Sequence, residues 1–176
     1  MQCYTSYPEA ELFVNGKSQG RLKKNKNSKL DRYRLRWNDV VYQPGEIKVV
    51  AYDANGNKAA EKTVRTAGKP AGVKIEADKQ QLAADGEDLI YYTVTLVDKD
   101  GNECLNANDD ATFEVSGGAD FKAVCNGDAT SLEMFHLPQM KFFNGQLVVT
   151  VQSNGKKEPV KLKVNIPQLN ISGTSL

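Results

Sequence analysis

The sequence predicts an all-β chain folded as two tandem antiparallel β-sandwiches joined by a short linker. Three observations carry this expectation. Apolar residues recur with period two in short runs, and no stretch shows the 3.6-residue period of a helix. Turn-forming pairs such as Asn15-Gly16 and Pro44-Gly45 punctuate those runs. The charge balance also changes sign partway along: residues 1–66 carry 13 Lys/Arg against 7 Asp/Glu, whereas residues 67–176 carry 10 against 15. The change falls at Thr66-Ala67-Gly68-Lys69-Pro70-Ala71-Gly72, where two glycines relax the backbone and Pro70 extends it. Residues 67–72 therefore read as the linker, with domains over 1–66 and 73–167 and a frayed tail over 168–176.

In the first domain, Glu9–Val14 alternates with Ala10, Leu12 and Val14 on one face. Asn15-Gly16 follows at once, and such a pair between strand-like runs marks a hairpin because both residues tolerate positive φ. Lys17–Lys24 returns as the partner. Leu22–Asp31 is lysine-rich and patternless, so it reads as a loop. In Arg32–Asn38, Tyr33, Leu35 and Trp37 are expected on the core face, and Arg32, Arg34 and Arg36 on the solvent face. Glu46–Tyr52 places Ile47, Val49 and Ala51 inward. The Asp53–Asn57 turn then leads to Lys58–Arg65.

In the second domain, Val73–Asp78 opens the unit, and Leu89–Asp98 is the longest strand, with Ile90, Tyr92, Val94 and Leu96 inward. Lys99-Asp100-Gly101-Asn102 reads as a hairpin turn. Ala111–Ser116 and Phe121–Cys125 are short strands, and Asn126–Asn144 is irregular. Gln146–Gln152 and Pro159–Ile166 close the unit, the last with Val160, Leu162, Val164 and Ile166 on one face. About seven strands in about a hundred residues fit an immunoglobulin-like sandwich.

Two sets of motifs resemble a known family. Glu11-Leu12-Phe13-Val14-Asn15-Gly16-Lys17-Ser18, Arg34-Leu35-Arg36-Trp37-Asn38-Asp39-Val40 and Tyr42–Asp53 are similar to the region downstream of the catalytic barrel in bacterial glycoside hydrolase family 2, the β-galactosidase-like enzymes. Ala84–Leu89, Val97–Asn102, Cys125–Ser131 and Phe143-Asn144-Gly145 resemble the immunoglobulin-like domain that follows there. Leu132 stands where the family pattern often has histidine, and Pro167–Leu176 departs from it. The resemblance implies a C-terminal, non-catalytic piece of a longer glycosidase, periplasmic or secreted. Its expected partners are the catalytic barrel and the other domains of that enzyme. Cys3-Tyr4-Thr5 reads as a strand already under way, in keeping with a piece of something longer.

The residues themselves supply little chemistry. A glycosidase needs two carboxylates flanking the scissile bond, and here Asp and Glu fall in turns or on solvent faces. The chain is also short for a (β/α)8 barrel, which needs about 250 residues. His136 is the single histidine, and Cys3, Cys104 and Cys125 are scattered, which gives no metal-ligand spacing. Cys104 and Cys125 are either free or paired with each other. Asp98–Asn102 lacks the glycine and glutamate of a calcium loop. No cofactor, catalytic residue or metal site is expected. Arginines and lysines of the first domain form a basic stripe without a nucleic-acid-binding module around it, and no apolar run has the roughly 18–20 residues that span a membrane. Neither nucleic acid nor membrane is therefore an expected partner. Carbohydrate is, through Tyr91, which faces away from Tyr92, and through the turn residues Asn126 and Asp128. The expectation is an accessory region that braces the barrel or shapes substrate access. A carbohydrate-binding module and an immunoglobulin-like adhesin or spacer are the alternatives.

Overall fold

The computed structural model describes residues 1–175. Among them there are strands, turns and one short 3-10 turn, and no α-helix. The chain divides into two compact units, Met1–Thr66 and Ala67–Leu176. All four sheets are antiparallel, as two β-sandwiches require.

The first unit holds β1 (Gln2–Tyr4), β2 (Glu9–Val14), β3 (Lys17–Lys23), β4 (Arg34–Arg36), β5 (Glu46–Tyr52) and β6 (Lys58–Arg65). A four-stranded sheet in the order β3-β2-β5-β6 faces a two-stranded sheet, β1-β4. The β2–β3 turn has φ of 49° at Asn15 and 78° at Gly16, the two positive values that a right-twisted hairpin demands. The Asn15 side chain also accepts the Glu46 amide hydrogen at 2.7 Å and donates to the Pro44 carbonyl at 3.1 Å. One residue thus builds the hairpin and fixes the start of β5.

The core of this unit is small. Ala10, Leu12 and Ala51 lie under Leu35 and Trp37. The Trp37 indole donates to the Gly20 carbonyl at 2.8 Å, which satisfies the one polar atom of that ring. On the opposite face of the sheet the polar side chains are paired. Arg21 bonds Glu9 at 3.0 Å and lies 3.7 Å over the Tyr52 ring, and Tyr52 donates to Glu11 at 3.1 Å.

Three expectations for this unit are corrected. Tyr33 is 62% exposed, because β4 begins only at Arg34 and the alternation does not extend back to it. Val50, expected outward, is buried. Ile47 and Val49, expected in the core, are only half-buried, because β1 and β4 do not cover their part of the sheet. The arginine stripe is partly neutralised: Arg36 chelates Asp31 at 2.7 and 3.0 Å, and Arg34 donates to Gln2 and Tyr4.

The second unit has β7 (Gly72–Ala77), β8 (Leu89–Val97), β9 (Asp110–Ser116), β10 (Ala119–Cys125), β11 (Gln139–Lys141), β12 (Gln146–Ser153), β13 (Lys161–Ile166) and β14 (Ile171–Thr174). The sheet β10-β12-β8-β7 packs on β11-β9-β13-β14. Val94, Leu96, Val149, Val151, Leu162 and Val164 are fully buried between them. Phe113 and Phe121 reach across from the two sheets and stack at 6.4 Å between ring centroids. This is the expected core pattern, one residue in two from each strand.

The tail is corrected. Residues 168–175 are not loose chain, and Leu176 lies outside the described residues. Pro167–Leu169 makes a 3-10 turn, Asn170 takes φ of 54°, and β14 returns along β13 with Gly173 opposite Val164. Ser175 closes it, its amide donating to the Leu162 carbonyl and its hydroxyl accepting the Leu162 amide hydrogen. Residues 67–72, expected as a linker, are held by the second unit: the Gly68 amide donates to Asp98, the Ala71 amide to the Val97 carbonyl, and β7 already starts at Gly72. Cys3, Cys104 and Cys125 are free thiols, of which Cys104 is buried and Cys125 exposed.

Candidate interaction surface

Many carboxylates of both units serve turns and ion pairs. Asp53, Asp85, Asp98 and Asp128 each accept backbone amide hydrogens from residues two to four places on. Asp88 pairs with Lys79 at 2.5 Å and Glu114 with Lys163 at 3.0 Å. These contacts favour the charged form, so the carboxyls lie below their usual range: Asp88 through the Lys79 hydrogen bond, Glu114 through Lys163, Asp128 through the Thr130 hydroxyl and amide. A glycosidic general acid needs the opposite shift, upward through burial. No group of three His, Cys, Asp or Glu among the described residues is arranged to hold a metal.

The sequence-derived sugar contacts do not converge. Tyr91 stands on the outer face of β8, 45% exposed, with Thr150 beside it on β12 and Ala123 beyond on β10. Its amide donates to Asp78 at 2.9 Å, which fixes the strand under the ring. Asn126 lies three residues past Ala123, so it is roughly 10 Å along the strands and about 10 Å across them from Tyr91. Asn126 and Asp128 do come together, in building a loop. The Asn126 amide nitrogen donates to the Lys141 carbonyl at 2.9 Å, its oxygen accepts the Asp128 amide hydrogen at 3.0 Å, and Asp128 accepts from Thr130 at 2.7 and 2.9 Å.

That loop is the most apolar exposed segment of the second unit. Leu132 is 98% exposed, and Met134, Phe135 and Leu137 are exposed with it. The loop is nonetheless held firmly. The Val124 amide donates to the Phe135 carbonyl at 2.8 Å, and Glu133 accepts the Lys141 amide hydrogen at 3.0 Å. A tethered backbone that turns four large apolar side chains to solvent has the character of a contact surface. The sequence carried a signal for it: four large apolar residues in six positions, Leu132 to Leu137, within a stretch that follows neither a strand nor a helix period.

The fold defines a tandem β-sandwich protein. Residues 73–173 match the family described as glycoside hydrolase family 2 C-terminal domain 5, and residues 1–60 match a domain of unknown function, DUF4982. The chain belongs to glycoside hydrolase family 2, as a C-terminal region carrying domain 5. It is 40% identical over 163 residues to the β-galactosidase BoGH2A of Bacteroides ovatus, which covers 92% of this chain and 18% of that protein. It is 32% identical to a putative β-glucuronidase of Formosa agariphila, over 98% of this chain and 20% of that protein. The chain thus spans about a fifth of the length of these two curated relatives. Among solved structures, a family 2 member from Bacteroides cellulosilyticus superposes with a TM-score of 0.89 at 27% identity, over 99% of this chain and 22% of that one. A β-glycosidase from Bacteroides vulgatus gives 0.87 at 26%, over 99% of this chain and 21% of that one.

Proposed function

We propose that these residues are a non-catalytic accessory region of a β-galactosidase-like glycoside hydrolase, periplasmic or secreted, and that they brace the catalytic barrel or shape access to it. The observation that carries this reading is the tethered loop from Asn126 to Leu137, with Leu132 almost wholly in solvent. A barrel or neighbouring domain of the parent enzyme covers it, which removes an apolar patch that is costly in water. Asp88 and Glu114, held charged by Lys79 and Lys163, are shifted away from the range of a general acid, which agrees with this reading.

The test is Leu132→Asp with Phe135→Asp in the parent enzyme and in the 176-residue chain. The expected result is a lower inactivation temperature or a raised KM in the enzyme, with an unchanged melting temperature in the chain. An enzyme that keeps both properties would sink the reading.

A second reading, sugar binding, rests on the exposed ring of Tyr91 above the small side chains Thr150 and Ala123. Affinity electrophoresis against soluble polysaccharides tests it. Retardation that Tyr91→Ala abolishes supports it, and unretarded migration on every glycan excludes it.

A further inference from the structure

The inner face of the four-stranded sheet in the first unit is covered on one side only. The rows across it are Ala10–Ala51–Ala60, Leu12–Val49–Lys62 and Val14–Ile47–Val64. On β2 these residues are buried, on β5 they run from buried to half-buried, and on β6 Val64 is 58% exposed. Leu35 and Trp37 explain the first third of this gradient. Over the remainder lies a groove of about 320 Å³, walled by Met1–Thr5 on one side and by Ile47, Val49, Ala60 and Val64 on the other.

The wall formed by β1 is a strand edge. β1 pairs with β4 alone. Met1 and Trp37 exchange both backbone hydrogen bonds, at 2.8 and 3.0 Å. In an antiparallel ladder the next pair, Gln2–Arg36, is then a non-bonded one, Cys3–Leu35 is bonded, and Tyr4–Arg34 is non-bonded. The amides and carbonyls of Gln2 and Tyr4 therefore point away from β4, to the free edge. A two-stranded sheet is marginal by itself, and an edge with unpaired groups beside an apolar trough is the geometry that accepts an added strand.

We propose that the groove takes one further β-strand, laid against the free edge of β1 and supplied by the parent enzyme's own polypeptide outside these residues. This rests on the accessory reading above. The relatives' lengths leave ample chain to supply it, since the matched region is about a fifth of each. The strand's alternate residues are apolar, to cover Ile47, Val49 and Val64, and one of its polar or acidic groups meets Lys62, which stands among them. The third strand completes the smaller sheet and closes the sandwich.

The experiment compares the 176-residue chain with the parent enzyme by residue-resolved hydrogen exchange and by thiol labelling of Val64→Cys, with Asn55→Cys in an exposed turn as control. The expected result is at least tenfold slower exchange at the Gln2 and Tyr4 amides and at least tenfold slower labelling at position 64 in the enzyme, with position 55 unchanged. Equal rates in both proteins overturn the proposal. Slow labelling with fast amide exchange also overturns it, because a docked surface without a strand gives that result. Protection already present in the isolated chain, with a dimer in sedimentation, assigns the groove to a second copy and overturns it as well. A parent polypeptide that hydrolyses no aryl glycoside defeats the accessory reading alone, and the exchange data still decide the groove.

Discussion

The Gly68 amide donates to the Asp98 carboxylate at 2.8 Å, across thirty residues of chain. The same carboxylate accepts the amide hydrogens of Asp100 at 2.9 Å and Asn102 at 2.8 Å, and the Asn102 side-chain amide at 3.0 Å. One buried side chain therefore shapes the β8 hairpin turn and fastens the entry of the second unit to it.

These bonds hold the Asp98 carboxyl far below the ordinary aspartate range, the Gly68 amide contributing most and the Asn102 side chain next. Because the folded pKa is depressed, the stability it supplies is complete above the unfolded value of about 3.9. It declines as pH falls below that value and is gone once pH passes the folded one. Asp98→Asn is expected to lower the melting temperature of the second unit by several degrees at pH 7 and to flatten its decline between pH 4 and pH 2. Parallel pH profiles for the two proteins would contradict this.

Gly117 and Gly101 separate strain from collision. Both have positive φ, 91° and 82°, but a Cβ at Gly101 meets open space whereas one at Gly117 lies 1.9 Å from the Pro159 carbonyl oxygen. Gly101→Ala is expected to cost about 1–2 kcal/mol, the left-handed penalty alone. Gly117→Ala is expected to cost about 3 kcal/mol or more, because backbone must move. Urea unfolding curves of the two variants check the order.

Trp37→Phe removes the indole donor and leaves the Gly20 carbonyl without its partner. Gly20 is exposed, so water can take the indole's place and the expected loss is about 0.5–1.5 kcal/mol, confined to the first unit. Trp37→Ala also empties a core of few residues and costs about 3–5 kcal/mol, enough to unfold that unit in isolation. Calorimetry of the whole chain reads this as one transition moved and the other unmoved.

Deleting residues 171–176 strips β14 from β13 and removes the packing of Gly173 on Val73. The second unit is expected to melt lower and to associate through the bared β13 edge. Light scattering at the melting temperature reports the association.

Turn chemistry is the part of this fold most legible in the sequence. Asn15-Gly16 and Asp98–Asn102 specify their conformations within four or five residues, so the residues alone suffice. The strand faces around Val94, Val149 and Val164 are legible for the same reason, since period two is local. Tyr33 misleads because alternation does not show where a strand begins. Val49 misleads because its face is right but its cover is set by β1 and β4, which are distant in sequence. Pro167 suggests an ending, yet Asn170 reverses the chain and the ladder with β13 is gained only in three dimensions. The surface was the least legible part. Asn126 and Asp128 are legible as polar turn residues, whereas the exposure of Leu132 depends on a loop without periodicity.

The chain has a single tryptophan, and it sits in the smaller core, beneath Gly20. Its emission is thus an optical gauge of the first unit alone, silent to events in the second. With tyrosine or circular-dichroism signals for the remainder, one unlabelled sample can follow the unfolding of each half separately.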